Sequence, residues 1–99
     1  MPYKCIAIDE AKILIETREV ALADIRDARS FADASICDSV NVSEANVEEF
    51  LTQTNQEKPI IVICYHGNSS KGAAEYFFGR GYKEVYSLDG GFEAWRQVV

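Results

Sequence analysis

With 99 residues, 47% of them hydrophobic and 26% charged, the chain suits a single domain, 1–99, with a substantial core, and not a disordered segment. Sixteen acidic residues against ten basic ones give a net charge of -6 without any Lys/Arg run. That argues against nucleic acid as a partner and requires any small anionic ligand to be held by a local positive site. The longest unbroken apolar run, residues 60–65, is far too short to span a membrane, and Met1-Pro2-Tyr3-Lys4-Cys5 lacks the pattern of a signal peptide. A reducing cytoplasm is therefore the expected compartment, with free thiols.

Cys5-Ile6-Ala7-Ile8 reads as a short first strand, followed by a helix capped by Asp9 and running to about Thr17, with Ala11, Ile13 and Leu14 among its apolar positions. Residues 20–25 read as a second strand that ends in Asp24-Ile25-Arg26-Asp27. A helical turn at residues 30–34 and a brief strand at Val40-Asn41-Val42 come next. Asn46 and Glu49 have capping-box spacing, with Ser43 as a competing start, and Val47, Phe50 and Leu51 form an i, i+3, i+4 apolar face.

After Lys58-Pro59, the run Ile60-Ile61-Val62-Ile63-Cys64 has no polar alternation and reads as a strand buried on both faces. A helix over residues 69–80 is expected, with Gly81 just past its end, then a strand over 84–88, a turn at Asp89-Gly90-Gly91 and a last helix over 92–97. Strands alternating with helices predict an α/β fold: a mainly parallel sheet of about five strands with helices on both faces. Ligands of such sheets sit beyond the carboxyl ends of the strands, and the most apolar strand here ends at Cys64.

Cys64 is followed by the polar loop Tyr65-His66-Gly67-Asn68-Ser69-Ser70 and then by a helix. Glycine and asparagine allow the loop to curl with several N–H groups facing its centre, and the helix directs the positive end of its dipole at the same point. A thiol placed there is expected to have a lowered pKa and to react as the thiolate. His66 and Lys71 can add positive charge. His66 lies too close in sequence, on a tight loop, to serve well as a general base for Cys64. Cys5 and Cys37 lack any such context and read as small buried hydrophobes. Without a CxxC or CxxH pair, a zinc site is not supported, and no metal or cofactor is expected.

The stretch Cys64-Tyr65-His66-Gly67-Asn68-Ser69-Ser70-Lys71-Gly72-Ala73-Ala74 resembles the active-site loop and following helix of rhodanese-type sulfurtransferases. Asp24-Ile25-Arg26-Asp27 with Phe31 is similar to the family's upstream motif, and Asp89-Gly90-Gly91-Phe92-Glu93-Ala94-Trp95 to its C-terminal one. One segment departs: where the family often has Gly-His-Ile-x-Gly-Ala, this chain has Ala34-Ser35-Ile36-Cys37-Asp38-Ser39.

The resemblance implies a rhodanese-like three-layer fold and a double displacement. Cys64 would take the outer sulfur of thiosulfate as a persulfide, release sulfite, and pass the sulfur to cyanide in vitro or to a thiol or dithiol, such as thioredoxin, in the cell. It also implies that Tyr65, His66, Gly67, Asn68, Ser69, Ser70 and Lys71 bind the substrate. Arg26 could face the anion. The favoured reading is that Asp24 and Arg26 support the loop from below, with Asp89 as a turn residue and Phe92 and Trp95 as core.

Two rivals remain. A cysteine phosphatase of this fold class needs Cys-x5-Arg for bidentate phosphate binding, and the sixth residue after Cys64 is Ser70. A sulfur carrier or binding module without thiosulfate as its true donor is the other.

Overall fold

The computed structural model describes residues 3–98; Met1, Pro2 and Val99 lie outside the described residues, as does that much of the 1–99 domain expected above. Ten elements alternate along the chain: β1 (Lys4–Ile6), α1 (Ile8–Thr17), β2 (Ala21–Asp24), α2 (Ala28–Asp33), β3 (Val40–Asn41), α3 (Val47–Thr52), β4 (Ile60–Ile63), α4 (Ser69–Gly79), β5 (Val85–Leu88) and α5 (Gly91–Val98). The five strands form one sheet in the order β1-β5-β4-β2-β3, with every neighbouring pair parallel.

The apolar run of β4 explains the layers. Its four residues are all buried, and because side chains alternate across a sheet they divide between two cores. Ile60 and Val62 pack with Phe50 and Leu51 of α3 and Ala74 and Phe77 of α4. Ile61 and Ile63 pack with Ala11 of α1, Leu88 of β5 and Phe92 of α5. Each such side chain contributes roughly 1.5–3 kcal/mol on burial. A strand paired on both edges and covered on both faces holds its last residue rigidly, and that residue delivers Cys64 to the carboxyl edge of the sheet.

Element boundaries differ from expectation where local hydrogen bonds outweigh pattern. Helix α1 begins at Ile8, so Ile8 leaves the first strand and Asp9 sits inside the first turn; Glu10 Oε1 accepts the Ala7 N–H at 3.3 Å. Helix α2 starts at Ala28 because Asp27 caps it, accepting from the Ser30 N–H at 3.1 Å and the Ser30 hydroxyl at 2.8 Å. Asn46 precedes α3 without capping it: its Oδ1 accepts from the Ser43 N–H at 2.7 Å and its Nδ2 donates to the Asn41 carbonyl at 2.9 Å, tying a turn to β3 instead. Helix α4 ends as expected, with Gly81 at φ 101° just beyond it.

Cys5 and Cys37, expected to be buried, are both exposed. Cys5 lies on the edge strand β1, where only Ile6 is buried. Cys37 lies in the turn before β3. The next residue, Asp38, holds φ 67°, the one positive φ outside glycine among the described residues. Asp38 stands where the family resemblance places a glycine, so the turn keeps a left-handed conformation without the residue best suited to it.

Candidate active site

The site is built by three segments that meet at the carboxyl edge: the residues after β2, the loop after β4, and the turn from β5 into α5. The loop from Cys64 to Ser70 closes on the sulfur. Cys64 is 3% exposed, and its Sγ accepts the Gly67 N–H at 3.1 Å and the Ser70 N–H at 3.3 Å. The Ser70 hydroxyl lies 3.3 Å from the same sulfur. Burial by itself pushes the thiol up; donation from the Ser70 hydroxyl and from the N–H groups of Ser70, Gly67 and His66 more than offsets it, and the thiol lies below its ordinary value.

Why the N–H groups point inward follows from what holds the carbonyls outside. The Phe92 N–H donates to the Cys64 carbonyl at 2.8 Å and the Glu93 N–H to the Tyr65 carbonyl at 3.1 Å, so the first turn of α5 takes the loop's oxygens. This needs backbone to lie against backbone. A Cβ on Gly91 would come within 2.5 Å of the Cys64 and Tyr65 backbone, and one on Gly67, which holds φ 93°, within 2.8 Å of the Gly90 nitrogen. The Gly90-Gly91 pair is therefore a docking surface for the loop as well as a turn.

Below the loop, Asp24 and Arg26 form a buried ion pair at 2.7 Å, with side chains 0% and 2% exposed. Asp24 also accepts the Arg26 backbone N–H at 3.0 Å. Arg26 donates a further hydrogen bond to the Ala34 carbonyl at 2.7 Å and stacks with its guanidinium carbon 4.1 Å from the centre of the Phe92 ring. Its planar fork is thus committed to the protein, which agrees with a supporting role and ties the β2 end to α5. Removing either charge alone from such a pair costs about 3–5 kcal/mol.

The residues read from the sequence as substrate-binding divide into two groups. Tyr65, His66, Asn68, Ser69 and Lys71 are exposed around the rim. Tyr65 leans across to α2, where its hydroxyl accepts the Asp27 N–H at 3.4 Å and lies 3.3 Å from the Ser30 hydroxyl. Gly67 and Ser70 are buried in the floor. Ser70 is 0% exposed and reaches down to Ser87 of β5, oxygen to oxygen at 2.7 Å. Sequence reasoning missed Ser87. Its one signal is a hydroxyl in the otherwise apolar and aromatic strand Val85-Tyr86-Ser87-Leu88.

Among the described residues, no group of three or more His, Cys, Asp or Glu side chains is placed to hold a metal ion, and no helix is long and apolar enough to cross a membrane.

Residues 7–98 match the family model described as a rhodanese-like domain. The chain belongs to the rhodanese-like family. Two curated members resemble it over nearly their full length. "Thiosulfate sulfurtransferase GlpE" of Tolumonas auensis is 45% identical over 93 residues, 94% of this chain and 88% of that protein. The protein of the same name from Pseudomonas savastanoi pv. phaseolicola is 45% identical over 94 residues, 95% of this chain and 88% of that protein. Among solved structures, a rhodanese-related protein from Thermoplasma volcanium superposes with a TM-score of 0.80 at 26% identity, covering 96% of this chain and 92% of that one. The five-stranded parallel sheet with helices on both faces is the rhodanese-like fold expected from the sequence.

Proposed function

We propose that the chain is a thiosulfate sulfurtransferase in which Cys64 carries the sulfur. The observation that carries this reading is the sulfur itself: a buried Sγ that accepts the N–H groups of Gly67 and Ser70 at the centre of a six-residue loop. The names of relatives 45% identical over nearly the whole chain support it.

In the first half-reaction the Cys64 thiolate attacks the outer sulfur of thiosulfate. An S–S bond forms on Cys64, the sulfur–sulfur bond of thiosulfate breaks, and its electron pair leaves with sulfite. One negative charge stays on the persulfide and two leave with sulfite, so charge balances. In the second half-reaction a thiophile attacks the outer sulfur and returns Cys64 to the thiolate; with cyanide the product is thiocyanate. Donors already turned to the loop centre serve the anion at both stages without reorganising. Lys71, exposed on the rim, supplies local positive charge that a chain of net charge -6 needs to draw in a dianion.

A thiol or dithiol protein of the thioredoxin kind is the acceptor this reading favours in the cell. The open rim around Cys64 agrees with approach by a second protein, and the free thiols agree with a reducing cytoplasm. Phosphate-ester hydrolysis is disfavoured because Ser70, turned down into the floor, occupies the position where that chemistry needs an arginine fork.

Intact mass spectrometry after thiosulfate treatment tests the intermediate. One added sulfur is expected, removed by cyanide or a dithiol and absent in Cys64→Ser. Retained cyanide-dependent thiocyanate formation in Cys64→Ser, or sulfur located elsewhere, would overturn the assignment.

A further inference from the structure

Cys64 Sγ, Ser70 Oγ and Ser87 Oγ form a chain of contacts, with spacings of 3.3 and 2.7 Å, and both serines are 0% exposed. Ser70 is the one hydrogen-bond partner of the Ser87 hydroxyl among the described residues.

We propose that Ser87 is a positioning residue for the nucleophile: its hydroxyl donates to Ser70 and thereby commits the Ser70 hydroxyl to donate to Cys64. The inference rests on the reading of Cys64 as the reactive group. It follows from counting protons. Three atoms in such a chain make two hydrogen bonds, and two bonds take two protons. The serines bring two. When the sulfur is a thiolate, Ser87 donates to Ser70, Ser70 donates to the sulfur, and each proton has an acceptor. When the sulfur is a thiol, three protons compete for two gaps and one is left without a place in the chain. A buried donor without an acceptor is costly, so the chain favours the charged sulfur.

Ser87 makes the direction one-way. With the thiol, the 3.3 Å contact runs from the sulfur to Ser70; with the thiolate, a buried Ser87 hydroxyl has only Ser70 to donate to among the described residues, and the Ser70 proton is left for the sulfur. Without Ser87, Ser70 is free to turn and accept the thiol proton. The donor next to Cys64 is then a Ser70 whose aim depends on a residue of the neighbouring strand β5. This device adds to the Gly67 and Ser70 N–H groups and does not replace them. The lowered pKa of Cys64, with the Ser70 hydroxyl foremost among the donors that lower it, is in keeping.

The titratable and charged groups on the elements around Cys64 are the Asp24–Arg26 pair at the end of β2, His66 on the loop, Lys71 and Glu75 on α4, Asp89 before α5, and Glu93 and Arg96 on α5. All of them are unchanged by substitution at Ser87.

The test follows alkylation of Cys64 by iodoacetamide against pH, in full-length protein carrying Cys5→Ser and Cys37→Ser so that one thiol remains. Ser87→Ala is expected to slow alkylation by about three- to tenfold on the rising limb and to move that limb to higher pH, the effect of losing one neutral hydrogen bond that aims Ser70. Ser87→Thr keeps the hydroxyl and is expected to follow the parent curve. In a Ser70→Ala background, Ser87→Ala should add nothing, because its route to the sulfur is gone. An unmoved profile in folded Ser87→Ala, or an equal slowing with and without Ser70, overturns the proposal. Ser70→Ala decides independently of whether Ser87→Ala folds: it must itself move the profile upward, and an unmoved profile there also overturns the relay. Alkylation needs no sulfur transfer. A wild-type protein that takes no sulfur from thiosulfate would therefore sink the functional reading and leave this inference standing or falling on its own curve.

Discussion

The loop after β4 and the turn before β3 are built from similar parts and behave differently. Each holds a cysteine, Cys64 or Cys37, and each holds a residue at positive φ, Gly67 at 93° or Asp38 at 67°. In the loop after β4, backbone from α5 binds the carbonyls and turns the N–H groups onto the sulfur, so Cys64 is buried and polarised. In the turn before β3, hydrogen bonds run between Ser39 and the Ile36 carbonyl, from its N–H at 3.0 Å and its hydroxyl at 2.6 Å, and Cys37 projects to the surface. Exposure and reactivity are thus separate properties. The thiol whose pKa is lowered is the buried one, because oriented donors stabilise a thiolate.

Gly67→Ala breaks the contrast most severely. The new methyl would meet backbone atoms, the Gly90 nitrogen at 2.8 Å and the Leu88 carbonyl oxygen at 3.1 Å, at a φ that L residues avoid. Destabilisation by roughly 2–4 kcal/mol is expected, the sum of left-handed strain and overpacking. Urea unfolding measures it, and persulfide formation followed by mass should fall with it. An Ala variant of wild-type stability would show that the loop does not depend on the close approach of the β5–α5 turn.

The ionisation of Cys64 gives the next effect. Its folded value lies below the ordinary thiol value of 9.0. A lowered folded value means stability that is complete above the unfolded value and is lost as pH falls through the folded one. The stability of the wild type relative to Cys64→Ser, from paired urea titrations, should therefore grow as pH rises toward about 9. A difference that shrinks over that range would reverse the assigned direction.

Asp38→Gly tests the other side. Relief of left-handed strain by a residue without a Cβ, set against the extra freedom glycine has when unfolded, predicts a gain of about 0.5–1 kcal/mol. A thermal or urea midpoint that falls would mean that the Asp38 side chain contributes more than its backbone costs. The smallest effect is expected from Cys37→Ser: an exposed thiol outside the site should leave thiosulfate turnover within about twofold, as should Cys5→Ser, in line with the near-neutral effect of surface substitutions. A large loss from either would draw that surface into the reaction.

Much of the fold was legible in order. The β4 run had no polar residue and therefore had to be covered on both faces, and Gly81 marked the end of α4 because a left-handed residue is needed there. Boundaries were less legible. Asp27 and Asn46 compete for nearby backbone through specific hydrogen bonds, and a residue pattern does not say which bond wins. The two surface cysteines were misjudged for a related reason. Residue type gives a tendency toward burial, but the side of the strand or turn on which a residue falls is set by pairing and packing.

By itself the sequence determined the parallel α/β order and a polar loop after β4 whose N–H groups can turn to Cys64, because these depend on local residue types and on spacing along short stretches. Tertiary structure alone decided what surrounds that loop. It brought Gly91 against the Cys64 and Tyr65 carbonyls, closed Arg26 onto Asp24 and Phe92, and set Ser87 under Ser70. Apart from the local Arg26–Asp24 pair, these contacts join separate elements of the chain, and the sheet order β1-β5-β4-β2-β3, with β4 between β5 and β2, makes them neighbours.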